Sequence, residues 1–134
     1  MMTVAILYVV TFAVFLGLDF FGLSYIVKPT FEKEIGGMLL DSPRFGPAVV
    51  FYGFFIFAVL WFVSWPALTQ QKSLLWVFCT AALLGAVAYG TYEFTNLATL
   101  KGWTWTMVAT DLTWGTLLTG ISATVGVGVT RWVT

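Results

Sequence analysis

The chain contains no histidine and a single cysteine, Cys79. Without histidine it lacks the commonest metal ligand and the side chain whose charge changes nearest neutral pH. One cysteine excludes an intramolecular disulfide, a CxxC zinc site and a thioredoxin-type pair. Charge is scarce too. Acids and bases together make up 9% of the 134 residues, where soluble domains carry roughly 25%. Net charge is zero and no basic patch exists, which excludes nucleic acid as a partner. The first residues, M-M-T-V-A-I-L-Y-V-V, have no positive n-region and no convincing small-residue cleavage site follows. They read as a retained first span rather than a signal peptide.

What is present is apolar: 60% hydrophobic residues and a mean hydropathy of +0.94. No charged residue interrupts the runs from Arg44 to Lys72, Lys72 to Glu93, or Asp111 to Arg131. About 20 such residues cross a ~30 Å hydrocarbon core as helix. The sequence therefore predicts an all-α integral membrane bundle of four helices, a single membrane domain over 1–134. The spans fall at about 3–27, 46–65, 73–96 and 105–129. Short second and third connections make consecutive spans antiparallel neighbours.

The first connection is longer. In it Phe31, Ile35, Met38 and Leu39 recur on one helical face. Pro29 and Thr30 supply a start and Asp41-Ser42-Pro43 a stop, giving a short interfacial helix over about 30–40. The alternative is that the first span continues past a kink at Pro29. Lys28, Lys33, Arg44 and Lys101 share one side of the membrane, while Lys72 and Arg131 share the other with the N-terminus. The positive-inside rule then places connections one and three in the cytoplasm and both termini outside.

Three acids lie within the spans. Asp19 is nine residues before Lys28, Glu93 eight before Lys101, and Asp111 ten after it. At 1.5 Å per residue all three reach roughly 12–15 Å inside the same boundary. Tyr52-Gly53 is the matching position on the second span. Asp111, Gly115, Thr119, Ser122 and Gly126 form a small and polar stripe, as do Gly85 or Ala86, Tyr89, Glu93 and Asn96. Asp19 shares a face with Tyr8, Phe12, Phe15 and Gly22. Small stripes mark close helix approach, so the acids are expected to face inward. No cation lies in any span to pair them. Carboxyls there must share protons or accept hydrogen bonds from Thr95, Asn96, Thr110, Trp114 or Tyr52, because an isolated acid costs ~2.5–3.5 kcal/mol. Trp61, Trp65, Trp76, Trp103, Trp105 and Trp132 fall near span ends as belt residues do. Trp114 alone lies inside a span, beside the acids. Gly120, Gly126 and Gly128 read as packing glycines and Cys79 as a small buried hydrophobe.

The segments L-G-L-D-F-F-G-L (16–23), A-Y-G-T-Y-E-F-T-N-L-A-T-L (88–100) and D-L-T-W-G-T-L-L (111–118) resemble a bacterial membrane family known as domain of unknown function 2177. The resemblance spans nearly the whole chain in order and spacing. Glu93 stands where that family's central motif carries Asp, and Phe20-Phe21-Gly22 where a Trp usually follows the first acid. The resemblance implies a four-span membrane protein with polar residues Asp19, Tyr89, Tyr92, Glu93, Thr95, Asn96, Asp111 and Trp114. It attaches no activity. In some bacteria such proteins are encoded beside lipid-modifying enzymes, which implies a role accessory to lipid metabolism.

Three functions stay open. The first is a pocket in the carboxylate layer for a lipid-like or small amphiphilic ligand, bound by Asp19, Tyr89, Glu93, Asn96, Asp111 and Trp114 with Tyr52, Tyr92 and Thr95 behind them. The second is a non-catalytic subunit that packs on a membrane protein partner or on its own copies. The third is a membrane enzyme or proton-coupled carrier, since intramembrane carboxyls form proton relays. The lack of histidine, of a nucleophile motif and of any cofactor fingerprint argues against an enzyme. Carboxylates and an Asn carbonyl would suit a hard cation, but their spacing matches no metal motif.

Overall fold

Four long helices make up almost the whole chain: Met2–Met38, Phe45–Thr69, Leu74–Thr99 and Trp105–Val133. A computed structural model describes every residue from Met1 to Thr134. No strand is formed, and each helix is long and apolar enough to cross a membrane. The protein is an all-α membrane protein with four spans. The last three helices run about one turn past their expected ends, because residues such as Leu97-Ala98-Thr99 remain helical beyond the apolar stretch.

Two prolines shape the first and second spans from within. Proline lacks a backbone donor, and its ring presses on the carbonyl four residues back. Ahead of Pro29 and Pro66 the backbone widens into π-helical turns, Leu23–Val27 and Leu60–Ser64. These absorb the clash and let each helix continue. Thr30 Oγ1 donates to the Ile26 carbonyl at 3.0 Å and Thr69 Oγ1 to the Trp65 carbonyl at 3.1 Å. The short helix Lys28–Ile35 and the 3-10 turn Gly36–Met38 therefore follow the first span without a break. Pro29 sits inside this helical run instead of opening a detached one. Ile35 is buried and Phe31 meets Trp103 edge-on at 5.4 Å, whereas Met38 and Leu39 are exposed.

Caps set the start of the last two spans. Ser73 Oγ accepts from Trp76 N at 3.1 Å, and Thr104 Oγ1 accepts from Met107 N at 3.2 Å. Between the second and third spans, Gln71 adopts a left-handed conformation (φ 54°). Lys72 N then reaches the Ala67 carbonyl at 2.9 Å, closing the helix end in a Schellman-type turn.

The fourth span is the hub of the bundle. Its stripe Asp111, Gly115, Thr119, Ser122 and Gly126 is buried. An added Cβ at Gly85 would strike Thr119, one at Gly120 would strike Phe78, and one at Gly126 would strike Thr11. In lipid, apolar side chains gain little by leaving the membrane, so close packing over such small residues holds the helices together. The first span presents Leu7, Thr11, Phe15, Asp19 and Gly22 to this hub, one residue per turn. Two expectations fail here. Gly128 faces open space, and Cys79 lies on the exposed side of the third span.

The second span is attached unevenly. From Phe55 onward Phe55, Ile56, Val59, Leu60 and Val63 are buried in the core. From Phe45 to Phe54 no residue is buried. That half leans on the first span through Tyr8, which donates to the Gly53 carbonyl at 3.0 Å. It stands off the third span.

Candidate functional site

The three acids converge. Asp19 is 4% exposed, Asp111 7% and Glu93 0%, each on a different span. Asp19 is held by two donors: Trp114 Nε1 to Oδ1 at 3.1 Å, and the Tyr52 hydroxyl to Oδ2 in a short hydrogen bond. Four spans are thus represented, because Tyr52 comes from the second and Trp114 from the fourth. Gly22 makes the Trp114 contact feasible, since any Cβ there would occupy the space of the indole. Gly115 does the same for the ring of Tyr89. Both glycines are set by close approach rather than by a turn.

Glu93 and Asp111 form the second half of the layer. Their carboxyls are direct neighbours. Glu93 Oε1 accepts from Trp103 Nε1 at 3.0 Å, but Glu93 Oε2 is buried with no donor. A carboxylate facing a carboxylate offers only acceptors, so a hydrogen must lie between them or a donor must come from outside.

A cleft opens onto this layer. It has a volume of about 290 Å³ and is lined by Ala48, Phe51, Tyr52, Ala88, Tyr89, Tyr92 and Asp111. Its walls are the second and third spans where they stand apart, and Asp111 of the fourth is its acidic floor. Beside it Phe55 meets Tyr89 edge-on at 6.3 Å. A second space of about 550 Å³ lies toward the first connection, and it too is bounded by Tyr92 and Asp111. Lys28, Phe31 and Asp41 line its far side.

The expected site residues therefore divide into three sets. Tyr52, Tyr89, Tyr92 and Asp111 face the cleft. Asp19, Trp114 and Glu93 stand behind it as a hydrogen-bonded wall. Asn96 lies one turn beyond Tyr92 and is half-buried, while Thr95 is exposed and its backbone carbonyl accepts from the Thr99 hydroxyl. Trp103 is the residue that sequence reasoning missed. Its place at a span end reads as a belt tryptophan, yet Gly102 takes a φ of +81°, turning the chain so that the indole folds back under Glu93. A glycine between Lys101 and Trp103 was the available signal.

A family model described as "Predicted membrane protein (DUF2177)" matches residues 4–128. No curated protein and no solved structure matches the chain. With nearly its full length covered, the chain belongs to the DUF2177 family of predicted membrane proteins.

Proposed function

We propose that this DUF2177 protein binds a lipid-like or small amphiphilic ligand, its polar head at Asp111 and its apolar part between the second and third spans. One observation carries the reading: a cleft with six hydrophobic or aromatic lining residues ends on a buried acid whose neighbour, Glu93, has an oxygen without a donor. An apolar pocket with a few convergent polar groups is the usual form of a small-molecule site. The chemistry at the floor selects the head. Asp111 and the tyrosine hydroxyls favour a group that donates hydrogen bonds or carries positive charge, such as an amine or an alcohol. The open flank of the second span gives a chain access from the bilayer. The role is binding, accessory to lipid metabolism, in a bacterial inner membrane.

Native mass spectrometry of the protein released from nanodiscs tests this, with wild type beside Asp111→Asn and Glu93→Gln. A discrete bound mass that is lost in Asp111→Asn and weakened in Glu93→Gln is the expected result. Equal masses in all three, with equal stability, would reduce the layer to a structural network.

A further inference from the structure

The side of the membrane that carries the chain ends holds a second, unrelated feature. All six acidic side chains lie in the other half of the molecule or its connections; this side has only Lys72 and Arg131. The ion pair of the structure is Lys28 with Glu32, so neither of these cations is paired with an acidic side chain. Arg131 is fixed in place. Its Nη2 donates to the Ala67 carbonyl at 3.0 Å and to the Lys72 carbonyl at 2.5 Å, leaving Nη1 and Nε free. Lys72 Nζ rests over the Trp76 ring, 5.5 Å from its centre.

Between them is a polar basin of about 740 Å³, with Thr3, Gln71 and Ser73 also on its wall. Trp65 borders this basin and also borders a groove of about 610 Å³ whose ten lining residues are all hydrophobic. That groove runs down between the start of the first span and the latter half of the second, past Ala5, Val9 and Trp61. A cationic basin at the surface thus continues into an apolar trough at membrane depth.

We infer that this juxtaposition is a binding site for an anionic phospholipid, with its phosphate between Lys72 and Arg131 and one acyl chain in the trough beneath Trp65. Arginine's planar fork suits phosphate oxygens. Basic residues near the bilayer surface each strengthen anionic-lipid binding by about fivefold. The charge of the basin excludes a cationic occupant, and the trough distinguishes a lipid from a free anion. The site is independent of the acidic cleft, which lies at the other face and favours the opposite charge.

The test titrates the detergent-purified full chain with phosphatidylglycerol or phosphatidylcholine and counts lipid adducts by native mass spectrometry. Lys72→Gln removes the cation without touching a hydrogen bond of the fold, and Ala5→Trp fills the trough at an exposed position. Phosphatidylglycerol should be retained several-fold better than phosphatidylcholine. Lys72→Gln should cut that retention about fivefold, Ala5→Trp should lower it too, and millimolar inorganic phosphate should compete poorly. Equal retention of the two lipids, or no effect of Lys72→Gln, overturns the site. Retention indifferent to Ala5→Trp but abolished by inorganic phosphate makes it a free-anion site and overturns the lipid assignment.

Discussion

Replacing Gly22 by alanine adds one methyl group that touches no carboxyl directly, one turn along the helix face from Asp19, and should still disrupt the acid layer. The added Cβ would coincide with the Cε2, Cζ2 and Nε1 positions of Trp114. The indole must swing away, and its donation to Asp19 is lost with it. Overpacking costs about 1–3 kcal/mol and a membrane hydrogen bond about 0.6–2 kcal/mol, while Gly→Ala in a helix returns about 0.5–1 kcal/mol. A net loss of about 2 kcal/mol is expected from these terms. Gly17→Ala is the control, since its Cβ meets nothing within 4 Å on the same helix, and it should match or exceed wild type. Reversible unfolding in mixed micelles, followed by tryptophan fluorescence, measures both. In a Trp114→Phe background the smaller ring can yield, so the cost of Gly22→Ala should shrink. If Gly22→Ala proves as stable as Gly17→Ala, the seating of Trp114 against the first span is wrong.

Tyr52→Phe removes one of the two donors to Asp19 and frees the open half of the second span, so it should cost about 1–2 kcal/mol in the same assay. It should also speed proteolysis near Phe45; unchanged cleavage would contradict the anchoring role. Trp103→Phe strips Glu93 of its only donor and should cost more than Tyr52→Phe, about 2–3 kcal/mol. Adding Glu93→Gln, which can donate to Asp111, should recover part of that loss, and a fully additive double variant would refute the link. Gln71→Gly should stabilise by about 1 kcal/mol, because Gln71 holds a left-handed conformation that costs a side-chain-bearing residue. A lower unfolding midpoint for that variant would mean the turn is set by something other than backbone preference.

The sequence by itself determined the number of spans, their antiparallel order and the shared level of the acids. Each depends on quantities that run along the chain: charge-free length against membrane thickness, and rise per residue. The inward faces of the first and fourth spans could be read as well, because Asp19 and Asp111 mark them and the small stripe of the fourth has a helical period. Tyr52 was placed at the right level for the same reason. What the tertiary structure decided is azimuth and partnership. On the second span nearly every residue is apolar, so no rotation is excluded by composition, and on the third the stripe of Gly85 and Glu93 faced inward as read while Cys79 turned outward against expectation. The partners of each carboxyl, Tyr52 and Trp114 for Asp19 and Trp103 for Glu93, depend on helix rotation, on the π-turns before Pro29 and Pro66, and on the turn at Gly102. The cleft arises where the second span leans on the first and leaves the third. Lipid contact and helix contact are nearly equal in energy for an apolar side chain, so only the fit of specific side chains over specific glycines settles which face goes where.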